Sequence, residues 1–227
     1  MLGKMIIDRD YMHMGLRELL DDPQHMFDGD QVEILKEGNS STVGVVNLGG
    51  RRFVIKRYNV KSKAHQLKQI LRESRASRSW RNAHRMMLRG FTTARPVAVL
   101  ECLKGRLNGV SVFVMEYVEG ANSANYFLDQ QIDIDSKRVA AKNMLELIHE
   151  MHQEKLIHGD LKSTNFIIGS DGIAIIDLDS MKVGNSQTNM KAIIKKQMKR
   201  FMENWQDNAE AKSIFEEIVP ADTRKNS

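Results

Sequence analysis

The sequence predicts an α+β fold in which strands dominate the first half and helices the second. Extended segments rich in β-branched residues recur over residues 32–58 and 97–116. Two long helical patterns, at residues 135–153 and 190–205, follow them. A chain of 227 residues with 41% hydrophobic and 28% charged residues has enough apolar side chains for one large domain or two small lobes, and this composition excludes a disordered chain.

The first extended region contains candidate nucleotide-binding residues. A β-meander is predicted over residues 32–58, with a polar turn at residues 36–42. Backbone N–H groups can approach phosphate where side chains are small. The small residues of this turn are Gly38, Ser40 and Ser41. Lys56 lies in the last strand of the meander, where a lysine can reach the α- and β-phosphates, although a surface lysine would give the same pattern.

Residues 61–89 predict a long helix, with a break near residues 74–79, that has one apolar face and one basic face. The apolar positions, three or four residues apart, are Ala64, Leu67, Leu71, Trp80, Ala83 and Met87. The basic positions are Lys68, Arg72, Arg75, Arg78, Arg81, Arg85 and Arg89. From residue 57 to residue 95 there are eleven Lys or Arg residues and one acidic residue, Glu73. This excess of positive charge would attract polyanions: nucleic acid, phospholipid headgroups, anionic glycolipid or ATP. The alternative is that the basic face is solvated and binds nothing.

Outside this region, several segments predict secondary structure but no catalytic role. Residues 1–30 predict a short strand at residues 5–7 and a helix around residues 11–20. The helix at residues 135–153 is expected to begin at an N-cap of Asp135 or Ser136, and its His149 and His152 are expected to be structural, because no third zinc ligand is near them. The helix at residues 190–205 is basic and amphipathic, and we expect it to pack its apolar stripe on the domain, with membrane binding as the alternative.

The clearest chemical pattern lies between residues 157 and 177. Asp160 is followed by Lys162, Asn165 and, after a hairpin with an Asp-Gly turn, Asp177. This spacing is typical of phosphoryl transfer: Asp160 would accept the proton of an attacking hydroxyl, and Asn165 and Asp177 would hold magnesium on the phosphates of ATP. The alternative is that these residues are solvated turn formers, as Asp and Asn often are.

The compartment can also be predicted. The single cysteine, Cys102, excludes an internal disulfide and suits a reducing environment, where we expect it to be a small core residue. The first ten residues lack the apolar region of a signal peptide, and no apolar run approaches the roughly 20 residues that span a bilayer. The sequence therefore predicts a cytoplasmic protein, one that could rest on a membrane.

The motif His158–Gly159–Asp160–Leu161–Lys162 with Asn165, following a meander with a strand lysine, resembles the protein-kinase-like fold. Within that fold, residues 56–59, 74–85 and 90–96 resemble the bacterial lipopolysaccharide kinases, the Kdo kinase and core heptose kinase family. The resemblance covers roughly residues 37–179 and implies a sheet-containing N-lobe over residues 31–118 and a reduced, mostly helical C-lobe over residues 119–219. Residues 1–30 would be an N-terminal extension and residues 220–227 a disordered tail.

The resemblance also implies roles by position. Asp160 matches the catalytic aspartate, Asn165 and Asp177 match the metal ligands, and Lys56 matches the lysine that holds ATP. Lys162 would lie near the transferred γ-phosphate. The backbone from Glu116 to Val118, in the linker after the last predicted strand, would receive adenine, although an ordinary edge strand would show the same pattern.

Some positions depart from regulated protein kinases. Gly159 replaces an arginine that reads a phosphorylated activation loop, and only fifty residues follow Asp177, which is too few for a full peptide-binding lobe. A glutamate that pairs with the strand lysine is also in question, because lipopolysaccharide kinases place it where this chain has Ser79. Either Glu73 is brought to Lys56 by a local break in the helix, or Lys56 has no such partner.

These observations lead to three hypotheses. The first, which the resemblance implies, is a kinase dependent on magnesium and ATP that phosphorylates a Kdo or heptose hydroxyl of the lipopolysaccharide inner core. It would act at the inner face of the inner membrane, with the anionic glycolipid drawn in by the basic helix and no nucleic-acid partner. The second is a small atypical protein kinase or an aminoglycoside-type phosphotransferase. The third is a pseudokinase whose basic face binds anionic lipid or RNA.

Overall fold

A computed structural model describes residues 3–59, 73–104 and 107–219 of the chain. The chain divides into two compact units, Met1–Tyr117 and Val118–Ser227. The first unit contains a six-stranded antiparallel sheet in the order β1-β5-β6-β4-β3-β2. Its strands are β1 (Gly3–Ile7), β2 (Val32–Gly38), β3 (Ser41–Leu48), β4 (Arg51–Tyr58), β5 (Pro96–Lys104) and β6 (Leu107–Glu116). The predicted strands of residues 1–116 are therefore confirmed.

The segment before the meander contributes to the core of the first unit. The predicted strand at residues 5–7 lies within β1, which pairs with β5. The predicted helix around residues 11–20 is shorter than expected, because α1 (Leu16–Asp21) begins only after Gly15, whose φ of 71° is left-handed. Tyr11 instead ends a 3-10 turn and packs edge-on against Phe53 in the core, with ring centroids 5.9 Å apart.

The turn between β2 and β3 is tighter than the sequence predicts. Gly38 pairs with Ser41, so two residues, Asn39 and Ser40, make the turn that was expected to span residues 36–42. The strands extend because their backbone pairing continues on both sides, with one irregularity between Ile34 and Lys36. Polar side chains at the ends of both strands produced the longer turn prediction.

The basic helix of the first unit, α2, spans Arg75–Leu88, and Ser74 caps it by accepting a hydrogen bond from the N–H of Ser77. The predicted positions at residues 61–72 lie outside the described residues. The buried face of α2 consists of Ala76, Ser79, Asn82, Ala83 and Met86. The predicted apolar stripe is therefore wrong at Met87, which is 41% exposed, and at Trp80, which is half-buried against His84. The buried face combines small side chains with Met86, and Trp80 and Met87 lie beside it.

The second unit is mostly helical and carries two short sheets, in the orders β10-β9-β7 and β11-β8. Its described strands are β7 (Ala121–Asn122), β8 (Leu156–Ile157), β9 (Phe166–Gly169), β10 (Gly172–Ile175) and β11 (Lys182–Val183). Its described helices are α3 (Ser123–Leu128), α4 (Ile134–Gln153), α5 (Met190–Glu203) and α6 (Ala209–Ile218). Both long predicted helices are thus confirmed.

The core of the second unit is aromatic. Its fully buried rings, in contact through stacked or edge-on pairs, are Phe127, Phe166, Phe201, Trp205 and Phe215. Met198 and Phe201 of α5 are buried, which confirms that this helix packs its apolar stripe on its own domain. Helix α4 is capped by Asp133, not by Asp135 or Ser136, because the Asp133 carboxylate accepts the N–H groups of both those residues. In the part of the chain that the structure describes, no helix is long and apolar enough to cross a membrane.

Candidate active site

The loop between β8 and β9 brings together three of the predicted site residues. The N–H of Lys162 donates to the backbone carbonyl of Asp160 at 2.9 Å, and the N–H of Asn165 donates to the carbonyl of Lys162 at 2.9 Å. The amide Nδ2 of Asn165, a buried side chain, donates to the carbonyl of Asp160 at 2.9 Å. These bonds close the loop on itself, so Asp160, Lys162 and Asn165 are held by one tight turn.

The predicted hairpin delivers the fourth residue, Asp177, to the same end of the sheet. Strands β9 and β10 pair from Phe166↔Ile175 to Gly169↔Gly172, which confirms the hairpin. The N–H of Ile176 then donates to the carbonyl of Asn165 at 2.9 Å. Asp177 itself has a left-handed backbone, with φ 62° and ψ 58°, a conformation that is uncommon outside glycine and more frequent for Asp and Asn.

The donor set at Asn165 and Asp177 fits a magnesium ion. Nδ2 of Asn165 donates to the carbonyl of Asp160, so the loop uses the nitrogen of this amide, and the oxygen is the atom that can accept a metal ion. An amide oxygen and a carboxylate are hard oxygen ligands of the kind that magnesium accepts together with phosphate oxygens. These two residues would hold the ion, as the sequence predicts, with the remaining ligands supplied by nucleotide and water.

His158 fastens the Asp160 loop to the strand that leads into Asp177. Its ring is buried, its Nε2 lies 2.9 Å from the carbonyl oxygen of Ile176, and its Nδ1 lies 3.3 Å from the N–H nitrogen of Asp160. These partners require Nε2 to carry the proton and Nδ1 to accept one. Burial lowers the pKa of His158, so the ring is neutral. Sequence reasoning gave His158 no role, because its function lies in contacts made eighteen residues away.

We expect the free energy of unfolding to fall as the solution is acidified through the ordinary histidine range, and to fall less steeply in a His158→Gln variant. The unfolded chain binds a proton near pH 6.5, whereas burial lowers the pKa of His158 in the folded chain, so acid favours the unfolded state. Urea unfolding between about pH 7.5 and about pH 5.5 measures this slope.

His152 contributes part of the same slope, because burial lowers its pKa too, and that part should persist in the His158→Gln variant. The exposed His149, substituted by glutamine, is the control. Identical slopes for wild type and His158→Gln would show that His158 is not the group that resists protonation.

The structural reading of both α4 histidines is consistent with their contacts: His152 pairs with Gln197 and His149 with Gln153. Among the described residues, no cluster of three His, Cys, Asp or Glu side chains could hold a metal.

Two cations contact the Asp160 carboxylate. Lys162 Nζ lies 2.9 Å from Oδ2, and Arg200 Nη2 from helix α5 lies 2.9 Å from Oδ1. Oδ1 is shielded from solvent and no donor of the described chain makes an aligned hydrogen bond to it, so the contact with Arg200 is an ion pair without hydrogen-bond geometry. Sequence reasoning missed Arg200: it was one basic residue among several on a helix whose rotation the pattern did not define.

Lys56, in the first unit, is buried in β4, and its Nζ lies over the Tyr58 ring, 5.4 Å from the centroid. The Tyr58 hydroxyl is 2.9 Å from the Ser79 hydroxyl, so the helix position at which related kinases place glutamate is occupied here by a buried hydroxyl pair. Glu73 forms an ion pair with Arg81 at 2.6 Å. The structure thus places Glu73, just before the N-cap of α2, in contact with Arg81 of that helix.

The remaining predicted residues of the first unit lie at two turns. In the β2–β3 turn, Asn59 Nδ2 donates to the carbonyl of Gly38 at 3.1 Å and Arg75 Nη1 donates to that of Ser40 at 3.4 Å, while Ser41 is buried. At the end of β6, the N–H of Glu116 donates to the carbonyl of Arg95, the residue before β5, at 2.9 Å. The adenine prediction therefore rests on the carbonyl of Glu116 and on the backbone of Val118, the first residue of the second unit.

The structure therefore assembles Asp160, Lys162, Asn165 and Asp177 within the second unit, and the sheet that carries Lys56 within the first. A strand lysine in an antiparallel sheet, together with an Asp, Lys and Asn loop and a hairpin ending in Asp, defines a kinase. Residues 30–206 match the protein kinase domain, and the chain belongs to this family.

The solved and curated relatives agree with this assignment. A structure described as WaaP in complex with acyl carrier protein has a TM-score of 0.61 at 15% identity, covering 96% of this chain and 90% of that one, which shows that the fold is shared. Serine/threonine-protein kinase mph1 of Schizosaccharomyces pombe is 22% identical over 165 residues, or 65% of this chain and 23% of that protein.

A shorter match is to the probable serine/threonine-protein kinase mps1 of Dictyostelium discoideum, which is 33% identical over 61 residues, 27% of this chain and 6% of that protein. The chain thus spans less than a quarter of the length of these curated relatives. The predicted protein-kinase-like fold, with an antiparallel sheet in its first unit and helices in its second, is confirmed.

Proposed function

We propose that this kinase transfers phosphate from ATP, with magnesium, to a Kdo or heptose hydroxyl of the lipopolysaccharide inner core. The observation that carries the proposal is the Asp160 carboxylate, held 2.9 Å from Lys162 in a loop that Asn165 closes through its amide nitrogen. The acceptor is supported by the resemblance of residues 56–59, 74–85 and 90–96 to lipopolysaccharide kinases, and by a fold shared with WaaP.

In this proposal Asp160 accepts the proton of the acceptor hydroxyl as the hydroxyl oxygen forms a bond to the γ-phosphorus. The bond from that phosphorus to the bridging oxygen breaks, and ADP leaves with the electron pair. Lys162 stabilises the negative charge on the transferred group, and Asn165 with Asp177 would hold the magnesium ion. Magnesium, when bound, neutralises charge on the phosphate oxygens. Positioning and charge stabilisation supply most of the rate.

The basic surface of α2 is proposed to draw in the anionic glycolipid. An open pocket of about 430 Å³ lies on this helix. Its lining residues are Trp80, Arg81, His84, Arg85, Leu88 and Arg89. Leu88 is 87% exposed, and arginines beside exposed apolar side chains suit the headgroup region of an anionic membrane. Peripheral contact with the inner membrane is therefore part of the proposal.

The experiment that tests the function is transfer of labelled phosphate from magnesium-ATP to purified lipopolysaccharide from cells lacking this protein. Label in the lipopolysaccharide supports the proposal. Label in protein instead would favour the second candidate, an atypical protein kinase, which the serine/threonine kinase relatives also support. Label in soluble aminoalcohols would indicate an aminoglycoside-type enzyme, and loss of nucleotide binding altogether would favour a pseudokinase.

A Lys56→Met variant is expected to lose most of the stabilisation that magnesium-ATP gives to the wild type. A ligand at 100 times its Kd stabilises a fold by about 2.7 kcal/mol, and a buried strand lysine that contacts phosphate would supply much of that affinity. Thermal unfolding with and without nucleotide measures the effect. Lys36→Met, at an exposed lysine of the same sheet, is the matched control. An undiminished shift in the Lys56 variant would remove Lys56 from the nucleotide site.

A further inference from the structure

Arg200 is held at the catalytic loop by the packing of α5. Four residues along the helix, Asn204 Nδ2 donates to the carbonyl of Leu161 at 2.8 Å. Between the two, Phe201 is fully buried and meets the Phe166 ring edge-on, with centroids 6.0 Å apart. One contact ties α5 to the loop itself and the other ties it to the strand that follows. The position of Arg200 next to Asp160 is therefore a property of the packed domain.

The chemistry of Arg200 differs from that of Lys162. Lys162 already supplies a positive charge at Oδ2 of Asp160, so a second cation is not needed to balance this carboxylate. The Arg200 side chain is 54% exposed, and one of its nitrogens contacts Oδ1. A guanidinium has five N–H donors in a fork that matches carboxylate and phosphate oxygens. Arg200 can therefore bind a second anion beside the proton-accepting carboxylate, on the side that solvent reaches.

Helix geometry adds to this positive charge. Lys196 lies one turn before Arg200 on the same face of α5, whereas Lys199, the adjacent residue, is turned by about 100°. Both lysines are exposed. The face of α5 that carries Arg200 therefore presents a second cation one turn away, which favours an anionic partner on this face.

We propose that Arg200 forms the acceptor-anion subsite of this kinase: it binds a carboxylate or phosphate that lies next to the hydroxyl to be phosphorylated. Before the acceptor binds, Arg200 holds Oδ1 of Asp160. The acceptor's anion takes over the guanidinium, and Oδ1 is then free to accept the hydroxyl proton. This inference rests on the proposed function and narrows its acceptors to hydroxyl compounds with a neighbouring anionic group, such as Kdo with its carboxylate, and not a heptose without a neighbouring charge.

The test compares Kdo with its methyl ester, because esterification removes the negative charge and leaves every hydroxyl in place. We expect wild type to favour the free carboxylate in kcat/KM by roughly 10- to 100-fold, as charged hydrogen bonds are strong. Arg200→Met should lose this preference, chiefly through a raised KM for the carboxylate form, and Arg200→Lys should keep part of it. Lys199→Met removes one charge from the same helix and should keep all of it.

Hydrolysis of magnesium-ATP without acceptor gives a second readout that does not depend on the acceptor. If Arg200 restrains Asp160, Arg200→Met should hydrolyse ATP at least as fast as wild type, because Oδ1 is released to a water molecule. A fall in hydrolysis in a folded Arg200→Met protein, or equal losses on both acceptor forms at unchanged KM, would overturn the inference.

The two readouts also separate the inference from the proposed function. If wild type phosphorylates neither acceptor form but hydrolyses ATP, the proposed acceptor is wrong. The hydrolysis rate of Arg200→Met then decides the inference alone. If wild type neither transfers nor hydrolyses, both are overturned. Thermal unfolding of each variant confirms that it is folded before rates are compared.

Discussion

Replacing Asp160 with asparagine is expected to lower phosphate transfer by roughly 100- to 10,000-fold, the usual contribution of a positioned general base, and to leave nucleotide binding intact. Asparagine has the same shape but cannot take up the hydroxyl proton. The loop should keep its form, because Asn165 bonds to the backbone carbonyl of Asp160 and not to its carboxylate. Labelled-phosphate transfer measures the rate, and the thermal shift with magnesium-ATP measures binding.

The control for Asp160→Asn is Asp171→Asn. Asp171 is an exposed carboxylate in the turn of the β9–β10 hairpin, where its Oδ1 accepts a hydrogen bond from Ser170 at 2.9 Å. This substitution removes the same charge from the same unit and should leave transfer unchanged. Transfer by Asp160→Asn within a few-fold of wild type would mean that another group takes the proton, or that the reaction needs no base.

The loop of the second unit could be predicted because its contacts are local. Asp160, Lys162 and Asn165 lie within six residues, and a hairpin with a two-residue turn brings Asp177 back to them. Short-range spacing determines such geometry almost completely. The nucleotide and metal roles of these residues stay predictions, since what the structure establishes is their proximity and the orientation of the Asn165 amide.

Arg200 and Trp80 could not be predicted, because their environments depend on how a helix is rotated against its neighbours. Arg200 is forty residues from Asp160, and the sequence shows it as one of several basic residues on an amphipathic helix. At α2 the pattern favoured Trp80, Ala83 and Met87 as core. The helix buries Ala83, but it buries Ala76 and Met86 in place of Trp80 and Met87. Periodicity identifies the candidate faces, but close approach of the backbone to the sheet decides which face is buried.

Gly159→Ala is expected to reduce transfer by about 100-fold, although the residue carries no side chain, because displacements on the order of 1 Å at a catalytic group can have this effect. Gly159 has φ 84°, and a Cβ built on it would lie 2.7 Å from the backbone carbonyl oxygen of Ser180. A backbone carbonyl cannot rotate out of the way as a side chain can, and Asp160 is bonded directly to residue 159. The loop must therefore shift, and the catalytic carboxylate shifts with it.

The control variant Gly90→Ala measures the effect of the left-handed backbone alone. Its φ is 80°, almost the same, and a Cβ there would meet no heavy atom of the described chain within 4 Å. A left-handed backbone costs an alanine roughly 1–2 kcal/mol, so both variants should melt a few degrees below wild type. Only Gly159→Ala should also lose transfer when the rate is corrected for the folded fraction. Equal transfer by the two variants would show that the Ser180 contact relaxes without moving Asp160. Loss of transfer in Gly159→Ala alone would give the departure from the arginine of regulated protein kinases a local cause, because any side chain at residue 159 would begin with the same Cβ.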